Sequence, residues 1–132
     1  MKKSKLPHQQ NGSIVIDLDN TLTIETNASY AEKIPNLQVI EACHKYHNLG
    51  YKIVVHTSRN MQTYKGNIDS IMKFTYPTII EWLKKHNVPY DDVIIGKPWC
   101  GHNGFYVDDK AIRPSEFVNL SNDEITKIIK GK

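Results

Sequence analysis

Ser13-Ile14-Val15-Ile16-Asp17-Leu18-Asp19-Asn20-Thr21 decides the fold. Its β-branched run reads as a buried strand. The run then meets two acids one residue apart, and in an extended start Asp17 and Asp19 lie on one side. Two carboxylates so placed can hold a divalent cation, or divide nucleophilic and acid/base work. They do not form an EF-hand loop, because its required glycine and glutamate positions hold Leu22 and Ala28.

Three later segments repeat the pattern of an apolar run ending in polar residues. Lys52 to His56 predicts a second buried strand, followed by Thr57-Ser58-Arg59. Val93 to Ile95 predicts a third, stopped by Gly96 and followed by Lys97-Pro98. Phe105 to Val107 predicts a fourth, ending at Asp108-Asp109. Pro98 biases Lys97 away from helix, so the lysine is expected on an extended backbone.

Helical segments separate the strands. Asn36 can cap a helix to about Asn48, with Val39, Ala42, Cys43 and Tyr46 on its apolar face and Gly50 as its stop. Cys43, His44 and His47 read as core plus polar rim rather than a metal cluster. Residues 22–35 look irregular, and 58–76 are ambiguous with a turn at Gly66-Asn67. Thr78 and Glu81 have the spacing of a capping box for a helix to about His86, with Ile79, Ile80 and Leu83 as core candidates. Ser121 and Glu124 have it for a short helix over 122–130. Alternating strands and helices imply an α/β fold, a Rossmann-like three-layer arrangement of a parallel sheet flanked by helices.

The chain has 132 residues, 17 Lys plus Arg against 14 Asp plus Glu, and a formal charge of +3. That length predicts one domain over 13–132, with residues 1–12 as a mobile tail. Disorder, collagen and coiled coil are disfavoured by 39% hydrophobic and 23% charged residues. The basic start is not followed by an apolar stretch, so neither a signal peptide nor a membrane span is expected. Two cysteines do not make a disulfide framework, and a reduced, cytoplasmic setting is the expectation. The positive balance is compatible with anionic ligands but too mild to argue for nucleic acid.

Ligands bind open parallel sheets at the carboxyl ends of the strands, where all four polar clusters are expected. A carboxylate nucleophile, a divalent cation and a lysine are what phosphoryl transfer needs. Each residue also has a plainer reading. Asp17, Asp19 and Asp108 could be turn acids, and Lys97 or Asp109 could be surface charges. Arg59 could cap a helix, pair with an acid or touch substrate. Trp99, His102 and Asn103 lie between two predicted strands, as substrate contacts or as loop packing. Neither G-x-G-x-x-G nor a Walker lysine motif occurs.

In order, D-L-D-N-T, I-V-V-H-T-S-R, G-K-P and F-Y-V-D-D resemble the four motifs of the haloacid dehalogenase (HAD) superfamily. G-K-P-W-C-G-H followed by Y-V-D-D-K-A-I-R-P-S-E-F resembles small phosphatases attributed to capsular polysaccharide biosynthesis. The resemblance covers roughly residues 12–120. It implies that Asp17 attacks phosphorus to form a phosphoaspartate, while Asp19 protonates the leaving oxygen and then activates water. It implies phosphate binding by Thr57 and Lys97, completed by Asn20 and backbone amides, with Ser58 able to share the role of Thr57. Mg²⁺ would be held by the Asp17 carboxylate, the Asp19 carbonyl and Asp108, with Asp109 supporting the metal or Lys97 from behind. The gaps between motifs leave no room for a separate cap domain. An open site is then covered by a bulky substrate, a neighbouring subunit of a homo-oligomer, or a local lid from 22–35 or 58–76.

The expected activity is hydrolysis of a phosphomonoester, either a sugar-phosphate-like or a small phosphoalcohol-containing intermediate of surface polysaccharide synthesis. The alternatives are a polynucleotide end phosphatase and a non-catalytic phosphate-binding or regulatory module.

Overall fold

The structure, a computed structural model, describes residues 12–131. It divides into two compact units, one ending at Trp99 and the other beginning at Cys100. Among the described residues, no helix is long and apolar enough to cross a membrane.

The first unit is built on a three-strand parallel sheet, within an α/β arrangement in which helices flank the sheet. Strands β1 (Ser13–Ile16), β4 (Lys52–His56) and β5 (Asp92–Ile94) lie in the order β1-β4-β5. Ile14 pairs with Ile53, and Val55 with Val93, so the three carboxyl ends fall at one edge. Ile53 and Val55 of the central strand are fully buried, as suits a strand paired on both sides. The expected burial of the first strand is only partly met. β1 pairs with β4 alone among the described residues, and its Val15 is 62% exposed. The expected tail over 1–12 falls outside the described residues except for Gly12, whose carbonyl accepts from Lys52 N–H at 3.3 Å. Gly12 therefore extends the β1–β4 ladder rather than belonging to a tail.

Helix α1 (Leu37–Asn48) starts where expected, because the Asn36 side chain accepts from Val39 N–H at 3.3 Å. Its buried face is Val39, Ile40, Ala42, Cys43 and Tyr46. Burial pushes the Cys43 thiol up to about 12, which leaves it an inert core group. His44 meets the Asn87 carbonyl at 2.9 Å and His47 lies 3.4 Å from Asp91, so both serve the helix surface.

Three segments depart from the sequence expectation. Residues 22–35 are not irregular throughout: β2 (Thr23–Ile24) and β3 (Ile34–Pro35) pair antiparallel, with a helical turn at Tyr30–Glu32 between them. Thr78 does not cap a helix. Helix α2 (Ile68–Phe74), capped by Asn67, abuts α3 (Tyr76–Lys85), and Pro77 occupies the first turn of α3, where its missing N–H costs nothing. The third departure is in the second unit. Phe105 to Val107 do not form a strand, and Phe105 and Val107 are 80% and 88% exposed. A three-residue apolar run becomes a strand only when another strand offers it an edge, and it has no pairing partner among the described residues. Among the described residues the sheet therefore has three strands, not the expected four.

The second unit becomes helical only from Pro114 onward. α4 (Pro114–Asn119) opens with Arg113 N–H donating to the Glu116 carboxylate at 2.8 Å. α5 (Asn122–Gly131) carries the expected reciprocal pair, Ser121 N–H to Glu124 at 2.8 Å and Glu124 N–H to Ser121 Oγ at 3.1 Å.

Trp82 joins core and hairpin in the first unit. It is 2% exposed, and its indole N–H donates to the Lys33 carbonyl at 2.8 Å. Trp82→Ala is expected to cost about 3–5 kcal/mol, as large-to-small changes at buried aromatics do. Trp82→Phe should cost less, on the order of 1 kcal/mol beyond the lost volume, because it chiefly strands one carbonyl. Urea unfolding of the two variants measures the difference.

Candidate active site

Asp17 follows β1 with extended backbone, φ −72° and ψ 157°. Leu18 turns inward and is fully buried, which leaves Asp17 and Asp19 partly exposed on either side of it. The chain then makes a tight turn. Asn20 takes a left-handed φ of 62°, which asparagine tolerates, and its N–H donates to Thr23 Oγ1 at 3.0 Å. The turn delivers Leu22 and Thr23 back into the core. Both acids follow directly on the carboxyl end of β1.

At the end of β4, Thr57 is 1% exposed. Its N–H donates to the Ile94 carbonyl at 3.0 Å, and its carbonyl accepts from Lys97 N–H at 3.1 Å. This ladder carries Lys97 past the end of β5 to the same edge. Gly96 makes the approach feasible, since its φ is +88° and a Cβ there would sit 2.9 Å from the Ile68 side chain. Lys97 Nζ lies 3.8 Å from Asp17 Oδ1. Thr57 Oγ1 already accepts from Arg59 N–H at 3.0 Å, so its hydroxyl proton can serve a further acceptor.

The charges explain the state of Asp17. Burial pushes its carboxyl above the ordinary 3.8, the Lys97 ammonium and the Leu18 N–H pull it down, Asp19 pushes it up, and His56 pulls it down. His56, at the end of β4, is lowered from 6.5 by burial and Lys97, against the pull of Asp17. It is a neighbour of the site that the sequence reading did not single out.

Arg59 is 4% exposed, and it is spent on Asp19. Its Nε donates to Asp19 Oδ2 at 3.1 Å and its Nη2 to Asp19 Oδ1 at 2.8 Å, a bidentate fork. Of its three readings, pairing with an acid describes this geometry. Tyr30, which carries no signal of a site residue in the sequence, lies with its ring centroid 4.1 Å from the guanidinium carbon.

Asp17, Asp19, Thr57, Arg59 and Lys97 are thus brought together within the first unit. Ser58 is half-buried beside Thr57, and its carbonyl accepts from Met61 N–H at 2.9 Å. Asn20 is exposed on the turn after Asp19, and Trp99 is 39% exposed two residues beyond Lys97. His102, Asn103, Asp108 and Asp109 belong to the second unit and are exposed. There the Asp108 carboxylate accepts from Lys110 N–H at 2.9 Å. No group of three or more His, Cys, Asp or Glu able to hold a metal ion occurs among the described residues.

No family model and no curated protein matches the chain. A crystal structure of a Vibrio cholerae structural-genomics target of unstated function is similar to it, at 49% identity and a TM-score of 0.90, covering 92% of this chain and 98% of that one. At that identity over nearly the whole of both chains, the protein belongs to the same family as the Vibrio cholerae protein.

Proposed function

We propose that the protein is a Mg²⁺-dependent phosphomonoesterase that works through a phosphoaspartate on Asp17. The observation that carries this reading is the placement of Asp17, Thr57 and Lys97 at the carboxyl ends of three adjacent parallel strands, with Lys97 Nζ 3.8 Å from Asp17 Oδ1. An ammonium beside the nucleophile offsets the repulsion between a carboxylate and a phosphate dianion.

In the first step an Asp17 oxygen forms a bond to phosphorus while the ester P–O bond breaks. Asp19 gives its proton to the departing alcohol oxygen. In the second step Asp19 takes a proton from water, the water oxygen attacks phosphorus, and the Asp17–phosphate bond breaks. The Thr57 hydroxyl and Lys97 bind the phosphoryl oxygens through both steps.

The donors suit a hard cation, being a carboxylate on Asp17 and a backbone carbonyl on Asp19, and Mg²⁺ commonly takes one or two carboxylates and fills its shell with water. Asp108 is the further ligand that the resemblance names. Bound there, the ion would supply charge neutralisation for the transferring phosphoryl group.

The substrate class, a sugar-phosphate-like or small phosphoalcohol-containing intermediate of surface polysaccharide synthesis, rests on the resemblance to capsular polysaccharide phosphatases. A phosphate-release panel of phosphosugars, phosphoalcohols and an end-phosphorylated oligonucleotide tests the reading. Release from the first two groups is expected, lost with EDTA and restored by Mg²⁺. Activity unaffected by EDTA would remove the metal from the proposal, and no release from any member would remove the reaction.

A further inference from the structure

Arg59 occupies a place that neither a surface arginine nor a substrate-binding arginine would take. Its side chain is 1% exposed, and both oxygens of Asp19 are held in its fork. Its backbone N–H is tied to Thr57 Oγ1 at 3.0 Å, and Tyr30 covers one face of the guanidinium at 4.1 Å. The residue therefore links the candidate phosphate-binding hydroxyl, the candidate acid/base and the β2–β3 hairpin, although Asp19 and Arg59 lie 40 positions apart.

Burying a guanidinium is costly, and here the cost is incompletely offset. Arg59 Nη1 is buried with no hydrogen-bond partner among the described residues. A pair kept only for stability would be replaceable by apolar packing, often with gain. A pair kept to aim a carboxylate needs the fork itself, because two parallel N–H bonds fix both the position and the plane of the acceptor.

We propose that Arg59 is a positioning residue for Asp19, and that Tyr30 on the hairpin braces it, so that the hairpin and the acid/base group are set together. The inference rests on the phosphomonoesterase reading. Asp19 must break at least one of its two bonds to turn an oxygen towards the leaving group, while the other bond keeps it on Arg59. Loss of the fork leaves Asp17, Thr57 and Lys97 in place and misaims only the group that handles the leaving oxygen.

Esters of different leaving groups read this separately from folding. An aryl ester such as para-nitrophenyl phosphate departs without much help from an acid, whereas an alkyl phosphate needs the proton. Arg59→Gln is expected to lower kcat on an alkyl phosphate by on the order of 10²-fold, the scale of a misplaced general acid, with a much smaller loss on the aryl ester. Arg59→Lys should not restore the alkyl rate, since a point charge does not replace the fork. Tyr30 is 41% exposed, so Tyr30→Ala tests the brace with little risk to the fold, and it should show a smaller loss with the same bias towards the alkyl ester. Circular dichroism checks folding, and Tyr30→Ala decides if Arg59→Gln does not fold. Equal losses on both esters, or none on either, overturn the assignment of Arg59 and Tyr30 alone. A wild-type chain that hydrolyses neither ester overturns the phosphatase reading, and this inference with it.

Discussion

Asp17→Asn is expected to reduce phosphate release by roughly 10⁴-fold or more, as loss of a covalent nucleophile does, while the folded protein becomes no less stable at neutral pH. The two halves have one cause. The folded protein holds the Asp17 carboxyl above its ordinary 3.8, with burial as the largest contribution, so the ionised form that the reaction needs is the form the fold disfavours. Because the folded state binds the proton more tightly than the unfolded state, that cost is absent below the ordinary carboxylate range. It grows as pH rises and is complete above the folded value. Asparagine removes it. The variant also loses the Asp17–Lys97 pair, but at 3.8 Å, with side chains 38% and 21% exposed, such a pair is worth about 0–1 kcal/mol. Thermal melting from acid to neutral pH should show the gap between variant and wild type opening in favour of Asp17→Asn as pH rises. Substantial phosphate release by the variant would defeat the nucleophile assignment whatever the melting curves show.

The parts of this site that were legible in the sequence are those written locally. Ile14 to Asp19 reads as a strand ending in acids because the β-branched run and those acids are neighbours in the chain, although the burial expected of the run is only partly met. Asn36 reads correctly because a capping side chain meets an N–H three residues on. Lys97 needed only the glycine before it and the proline after it. Tertiary partners were the illegible part. Two-residue strands such as Thr23–Ile24 and Ile34–Pro35 carry too little alternation to be seen, and they form because each supplies the other's hydrogen bonds. Pro77 reads as a helix breaker or a helix start with equal ease, and the abutting α2 settles which. Phe105 to Val107 has the composition of a strand but lacks a pairing edge among the described residues. The Arg59–Asp19 fork has no local signature at all. Nothing in Thr57-Ser58-Arg59 tells which of the chain's 14 acids the arginine will meet.

Lys97→Met is the other change with a large expected effect, and it separates two duties of one ammonium. Towards substrate, Lys97 is a cation aimed at phosphoryl oxygens. Removing one such preorganised group typically costs about 10²–10³ in kcat, and that loss is expected here at the pH optimum. Towards Asp17, Lys97 is the largest influence opposing burial, pulling the carboxyl down while burial pushes it up. Without it the Asp17 carboxyl rises further, and a greater share of the nucleophile is protonated at any given pH. The acid limb of the rate profile should therefore move to higher pH in Lys97→Met. His56 should move in the same direction for the opposite charge type. The Lys97 ammonium holds the His56 imidazole down, so its removal lets the imidazole take its proton at higher pH. A full pH–rate profile with excess Mg²⁺, paired with an NMR titration of His56 in the metal-free protein, reads the two effects independently. If kcat falls without displacement of either titration, Lys97 serves substrate alone. If both titrations move while kcat at the optimum holds, its duty is to keep Asp17 ionised, and phosphate binding falls to Thr57 and the backbone around it.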